Sequence, residues 1–145
     1  MKIMYRKILI PLDNSSADQA IIDHIQPLVK LTGGEVILVH VADGYAARLQ
    51  NQLNLADSEE IKGDKSYLEK RQKELQQYGL KVRTILVQGE PADGILSVAD
   101  QEKCDLIAMA THGHKFVKDL ILGSVADVIR HRTDIPILMI RASMK

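Results

Sequence analysis

Five short apolar runs recur along the chain, and they limit what it can fold into more than any other feature: "KILIPL" (7–12), "EVILVHV" (35–41), "KVRTILV" (81–87), "DLIAMA" (105–110) and "IPILMI" (135–140). Each is rich in Val, Ile and Leu and too short for a buried helix. Each therefore reads as a strand, and the near-continuous apolarity predicts burial on both faces. The stretches between them have helical character. Parallel neighbours need a crossover between them, so strands alternating with helices predict a mostly parallel, right-handed, doubly wound α/β sheet. The expected order is β, α, β, a long helical insertion, β, α, β, α, β. No repeat, linker or low-complexity segment divides the chain, so residues 1–145 are expected to form one domain.

The connecting helices carry their own signals. "SSADQ" opens the first, with Ser16 and Gln19 at capping-box spacing; Ala17, Ala20, Ile21, Ile25, Leu28 and Val29 follow on one face, and Gly33-Gly34 ends it. Pro27 lies inside that helix and is expected to kink it or remove a hydrogen bond. Pro91 stands near the first position of another helix, with Ala92, Ile95, Leu96 and Ala99 on one face. A further helix is expected from about Ser124 to Arg132, with Val125, Val128 and Ile129 inward. The polar region from Asp43 to Gln77 holds Ile61, Leu68 and Leu75 at sevenfold spacing on an expected helix. Its first half, "GYAARLQNQLNLADSEE", reads as helix or loop.

Nineteen basic residues balance nineteen acidic ones, so no overall field draws the molecule to nucleic acid or to an anionic membrane. No apolar run approaches the roughly 20 residues that span a bilayer, and the N-terminus lacks the order of a signal peptide. A cytoplasmic location is expected. Cys104, the single cysteine, adjoins an apolar run and reads as a buried, inert thiol.

In an open sheet of this kind, ligands collect beyond the carboxyl ends of the strands. Those exits carry "IPLDNSS", "HVAD", "QGEP" and "ATHGHKFVKDLILGSV". Asp13 can accept two hydrogen bonds from a sugar diol, or Asp13, Asn14 or Ser15 can cap the following helix; position alone favours capping. Gly113 lets backbone N–H groups approach a ligand, and Gly123-Ser124 offers N–H groups and a hydroxyl where a helix dipole favours an anion. That suits a phosphate chain. A glycine turn with a Ser124 N-cap and Asp127 three residues on fits the same spacing. Neither a Walker loop nor a G-x-G-x-x-G fingerprint is present. His112 and His114 have no Cys, Asp or Glu cluster at metal spacing and read as polar loop residues. His24, His40 and His131 read as surface or half-buried.

Taken together, "KILIPLDNSSADQA", "GGEVILVHV", "QGEPADGIL" and "CDLIAMATHGHKFVKDLILGSVADVIRHRTDIPILMIR" resemble the universal stress protein family over nearly the whole chain, and within it the ATP-binding subgroup. The motif G-x2-G-x9-G-[ST] is matched by Gly113 and Gly123-Ser124, with Ala110 in place of the first glycine. The resemblance implies a Rossmann-like five-stranded sheet of order 3-2-1-4-5. It also implies a homodimer built through the last strand (Ile135 to Arg141), and ATP, or ADP or AMP, held at the strand exits with Mg²⁺ or Mn²⁺. By the same resemblance Pro11, Leu12 and Asp13 line adenine and ribose, and Val41 meets adenine through its main chain. Met109, Ala110, His112, Gly113 and His114 border ribose and phosphates, and Gly123, Ser124 and Val125 hold the phosphate chain. Alanine at 110 costs roughly 1 to 2 kcal/mol if the backbone there is left-handed, and little if it is extended.

The expected function is a nucleotide-dependent stress-response module that recognises a regulatory partner and is not a dedicated catalyst. The alternatives are a dimeric adaptor of the same fold that binds no ATP, and a slow ATPase with His114 as the group orienting water.

Overall fold

The computed structural model describes residues 4–42, 59–111 and 121–142. Among the described residues nine elements follow in the expected order: β1 (Lys7–Pro11), α1 (Ala17–Thr32), β2 (Glu35–Ala42), α2 (Glu59–Gln76), β3 (Lys81–Gln88), α3 (Pro91–Gln101), β4 (Leu106–Thr111), α4 (Ile121–Arg132) and β5 (Ile137–Arg141). All five strands are parallel, in the order β3-β2-β1-β4-β5.

Alternation along β1 divides the core into two layers. Ile8 and Ile10 pack with Ile21 and Ile25 of α1 and with Leu68 and Leu75 of α2. Leu9 points the other way, into a layer with Ile95 of α3, Ile107 of β4 and Ile129 of α4. Ile61, Leu68 and Leu75 are all buried, so the sevenfold spacing of the insertion helix does mark its inner stripe. "GYAARLQNQLNLADSEE" lies outside the described residues apart from its last two, which open α2.

Burial on both faces holds for β1, β2 and β4 but not for the outer strands. In β3 only Val82 is fully buried, and β5 has no fully buried residue. Both are sheet edges, covered less completely than the centre, and Lys81 and Arg83 already gave the start of β3 a wet face.

The capping box at Ser16 and Gln19 does not form. Ser16 adopts helical backbone angles (φ −63°, ψ −19°) and makes no side-chain cap bond, whereas a capping residue holds its oxygen in place from extended backbone. Ser15 Oγ accepts from Ala17 N instead (3.2 Å), and Gln19 donates to Asp23 (2.7 Å). Pro27 is accommodated without interrupting α1. The carbonyl it leaves without a donor is that of Asp23, and both residues lie on the exposed face, where water can serve it. Gly33 ends the helix in the left-handed region (φ 71°), donating to Val29 O.

Two expectations about α4 change. It starts at Ile121, three residues ahead of Ser124, and Val128 is 42 % exposed. With about 100° per residue, the inward arc runs from Val125 through Ile129 to Ala126, all buried, and Val128 falls some 60° outside it. Cys104 is buried and unpaired, and burial pushes its thiol up to about 11. Among the described residues no helix is long and apolar enough to cross a membrane.

Candidate functional site at the carboxyl rim

The sheet opens at the end of β1. Its ladder with β2 runs to Pro11↔Val39, followed by a bond from Leu12 N to Val39 O (2.8 Å). Towards β4 its last pair is Leu9↔Ile107. The cause is covalent. Leu12 turns its main chain to β2, so Pro11 turns to β4, and its ring nitrogen has no hydrogen to donate.

The flanking strands continue. β2 pairs with β3 as far as Ala42↔Gln88, and β4 pairs with β5 as far as Thr111↔Arg141. In a parallel ladder the main-chain groups of successive residues turn alternately to the two neighbours. Val39 faces β1, and Ala42 faces β3, accepting from Gly89 N (3.1 Å). Val41 therefore aims its N–H and C=O at the β1 side, two residues past the last β1–β2 pair. The bonds Ile107 N to Pro136 O and Ala142 N to Thr111 O turn those two residues of β4 to β5; Ala110, between them in phase, turns to the β1 side. The main chains of Val41 and Ala110 thus flank one crevice, with Pro11, Leu12 and Asp13 along its base.

Leu12 and Pro11 are buried and Asp13 is half-buried. The Asp13 carboxylate accepts from Ser15 N (3.1 Å), so the local-turn and open-rim readings of this residue coexist. Val41 is set by α3, because Gly94 presses against it: a Cβ at 94 would stand 2.9 Å from Val41 Cγ2. α3 itself starts from Glu90, whose carboxylate accepts from Ala92 N and Asp93 N, with Pro91 at its first position.

Ala110 is extended, within β4, and not among the residues of positive φ. Its side chain is buried in the layer under α1 and α2. Alanine at this position therefore carries no backbone strain. Met109 points into the opposite layer and pairs with Met139 of β5, so both its side chain and its main chain are turned from the crevice. Val125 is likewise a core residue. Gly123 falls among the first residues of α4, whose backbone N–H groups have no intrahelical partner, and Ser124 follows it as the fourth residue of the helix. His112, Gly113 and His114 lie outside the described residues.

The Universal stress protein family model matches residues 4–141. The chain belongs to the universal stress protein family. It is 32 % identical to universal stress protein MJ0577 of Methanocaldococcus jannaschii over 97 % of this chain and 98 % of that one. A solved structure of hypothetical protein MJ0577 superposes with a TM-score of 0.82 at 31 % identity, covering 99 % of this chain and 100 % of the other. Two more distant members share the fold: a universal stress protein in complex with cAMP (TM-score 0.72, 17 % identity, 97 % and 99 % covered) and one from Archaeoglobus fulgidus in complex with dAMP (0.70, 19 %, 94 % and 98 %).

Beneath the rim, this universal stress protein holds a buried polar network that sequence reading did not find. Asp18 is fully buried. Its carboxylate accepts from Asp13 N (3.2 Å), Asn14 N (2.8 Å) and the Tyr67 hydroxyl (2.5 Å). Burial pushes the Asp18 carboxyl up to about 6; the Tyr67 bond opposes the rise and the Asp13 charge adds to it. Burial, then the Asp18 bond, raises the Tyr67 phenol well above its ordinary value. Arg71 Nε donates to the Tyr67 oxygen (3.1 Å), and its Nη1 reaches Gln19 (2.6 Å) and Glu74 (3.1 Å). His40 Nδ1 donates to Leu12 O (2.7 Å), and its Nε2 lies 3.4 Å from Asp64. His24 and His131 are exposed.

Proposed function

We propose that this chain binds an adenine nucleotide in the crevice between Val41 and Ala110 and serves as a nucleotide-dependent regulatory module, not as a dedicated catalyst. The observation that carries the reading is the Val41 main chain, whose N–H and C=O face the opening above Asp13, where a planar base edge with one donor and one acceptor pairs with them. Asp13 then accepts from the ribose hydroxyls. The phosphates extend towards the first turn of α4, where the N–H of Gly123 and the helix dipole favour an anion. Family membership and the cAMP and dAMP held by two relatives of the same fold support this placement.

ATP is the ligand this reading favours, because the start of α4 offers N–H groups and a helix dipole that suit a phosphate chain. Among the described residues no group of three or more His, Cys, Asp or Glu could hold a metal, so Mg²⁺ or Mn²⁺ enters on the phosphates. A second copy pairs along β5, whose outer edge carries the exposed Met139. An adaptor without nucleotide drew its support from the missing first glycine, and the extended backbone of Ala110 removes that support.

Isothermal titration of the full chain with ATP and Mg²⁺ tests the reading. Heat of binding that saturates at one nucleotide per chain is expected, together with adenine absorbance released when the purified protein is denatured. A flat titration up to millimolar ATP and no released adenine would sink it.

A further inference from the structure

Three consecutive residues at the base of the crevice are held by side chains that lead to one face of α2. Leu12 O is bonded by His40, whose other nitrogen faces Asp64. The N–H groups of Asp13 and Asn14 are bonded by Asp18, which is bonded by Tyr67, which is bonded by Arg71. Asp64, Tyr67 and Arg71 are spaced i, i+3, i+7, so they share a helical face with the buried Leu68.

The turn they hold has a conformational cost. Asn14 sits in the left-handed region (φ 60°), which Asn enters more readily than other residues with a Cβ but less freely than glycine. A fully buried carboxylate is also costly unless its oxygens are bonded, and here three donors converge on it. Fixing this turn in the one conformation that presents Asp13 to the rim removes freedom that a ligand would otherwise have to freeze.

We infer that Asp18 and Tyr67 are positioning residues for the nucleotide, and that through them α2 responds to occupancy of the crevice. The inference rests on the reading of the crevice as a nucleotide site. Neither residue touches the ligand; both set the turn that carries Asp13. By linkage, a ligand that favours the ordered turn must equally favour the docked α2.

The test compares wild type with Tyr67→Phe, which keeps the ring and removes the hydroxyl, and with Leu75→Ala, which destabilises α2 far from the turn. ATP and adenosine are titrated into each, and amide hydrogen exchange of α2 is followed with and without ATP. Tyr67→Phe is expected to weaken both ligands by the same factor, about fivefold, as for the loss of one hydrogen bond. Added ATP should protect α2 amides in wild type and should protect them less in Tyr67→Phe, while Leu75→Ala, at a temperature where its α2 is still docked, keeps wild-type affinity. Wild-type binding with equal affinity in Tyr67→Phe overturns the inference alone, as does equal weakening by Leu75→Ala. A wild-type chain that takes up neither ligand overturns the nucleotide reading itself.

Discussion

Gly94 of α3 lies against Val41 of β2 so closely that a methyl group at 94 would meet Val41 Cγ2 at 2.9 Å, Val87 Cγ2 at 3.1 Å and Val41 Cγ1 at 3.2 Å. Valine is stiff about χ1, so it cannot swing clear. Gly94→Ala gains about 1 kcal/mol of helix propensity but overpacks this contact at a cost of about 1–3 kcal/mol. A net loss of stability is expected in urea unfolding, with weaker nucleotide binding because Val41 moves. Val41→Ala in the same chain should recover the stability.

Asp18 predicts a pH signature. Its carboxyl is pushed up to about 6 in the fold, against about 3.9 in an unfolded chain. The folded state holds this proton more tightly, so the contribution is complete below about pH 4 and is lost as pH rises through about 6. The stability of wild type relative to Asp18→Asn should therefore fall by about 2 kcal/mol between pH 4 and pH 7. Urea midpoints at the two pH values measure it, and a difference independent of pH would contradict the assignment.

Asp13 can be tested with the ligand as the second mutation. ATP and 2′,3′-dideoxy-ATP are titrated into wild type and Asp13→Ala. Removing the hydroxyls should cost wild type about tenfold in affinity, in line with hydrogen bonds to a charged acceptor, and should cost the variant almost nothing. Equal losses in both proteins would place the ribose elsewhere.

Ala110→Gly, which restores the family motif, should not improve binding. The backbone is already extended and unstrained, and the methyl group faces the core. Affinity should stay within about twofold, while stability falls by about 1–2 kcal/mol from lost burial and added chain entropy.

The outer edge of β5 gives a selective way to test the proposed dimer. The bonds Ile107 N to Pro136 O and Ala142 N to Thr111 O place the even-numbered residues of β5 against β4, so Met139 turns its N–H outward. Met139→Pro removes that donor and spares the inner ladder. Sedimentation should show a folded monomer where wild type is dimeric; an unchanged dimer would move the interface off β5.

The parallel sheet and its rim were legible because apolar runs and turns are encoded locally, whereas the strand order came only with the family resemblance. Sevenfold spacing even gave the stripe of α2 from three residues. Edge strands were misjudged because an apolar run does not say how many neighbours will cover it. The capping box failed for a different reason: Ser16 has the right side chain on the wrong backbone angles. Asp18 was missed because an acidic residue in a first turn reads as a favourable surface charge. Its spacing to Ile21, Ile22 and Ile25 was the available signal, since it placed the carboxylate on the inward face of α1. Its partner Tyr67 stands 49 residues away, and no local pattern joins the two.

Pro11 ends the ladder between β1 and β4 because its nitrogen belongs to a ring. A crevice held apart by packing could close when empty and would have to be unzipped before anything entered. This one has no zipper at that position. Parting β1 from β4 at that position therefore breaks no main-chain bond donated by residue 11, and the rim carries its opening in the covalent structure of one residue.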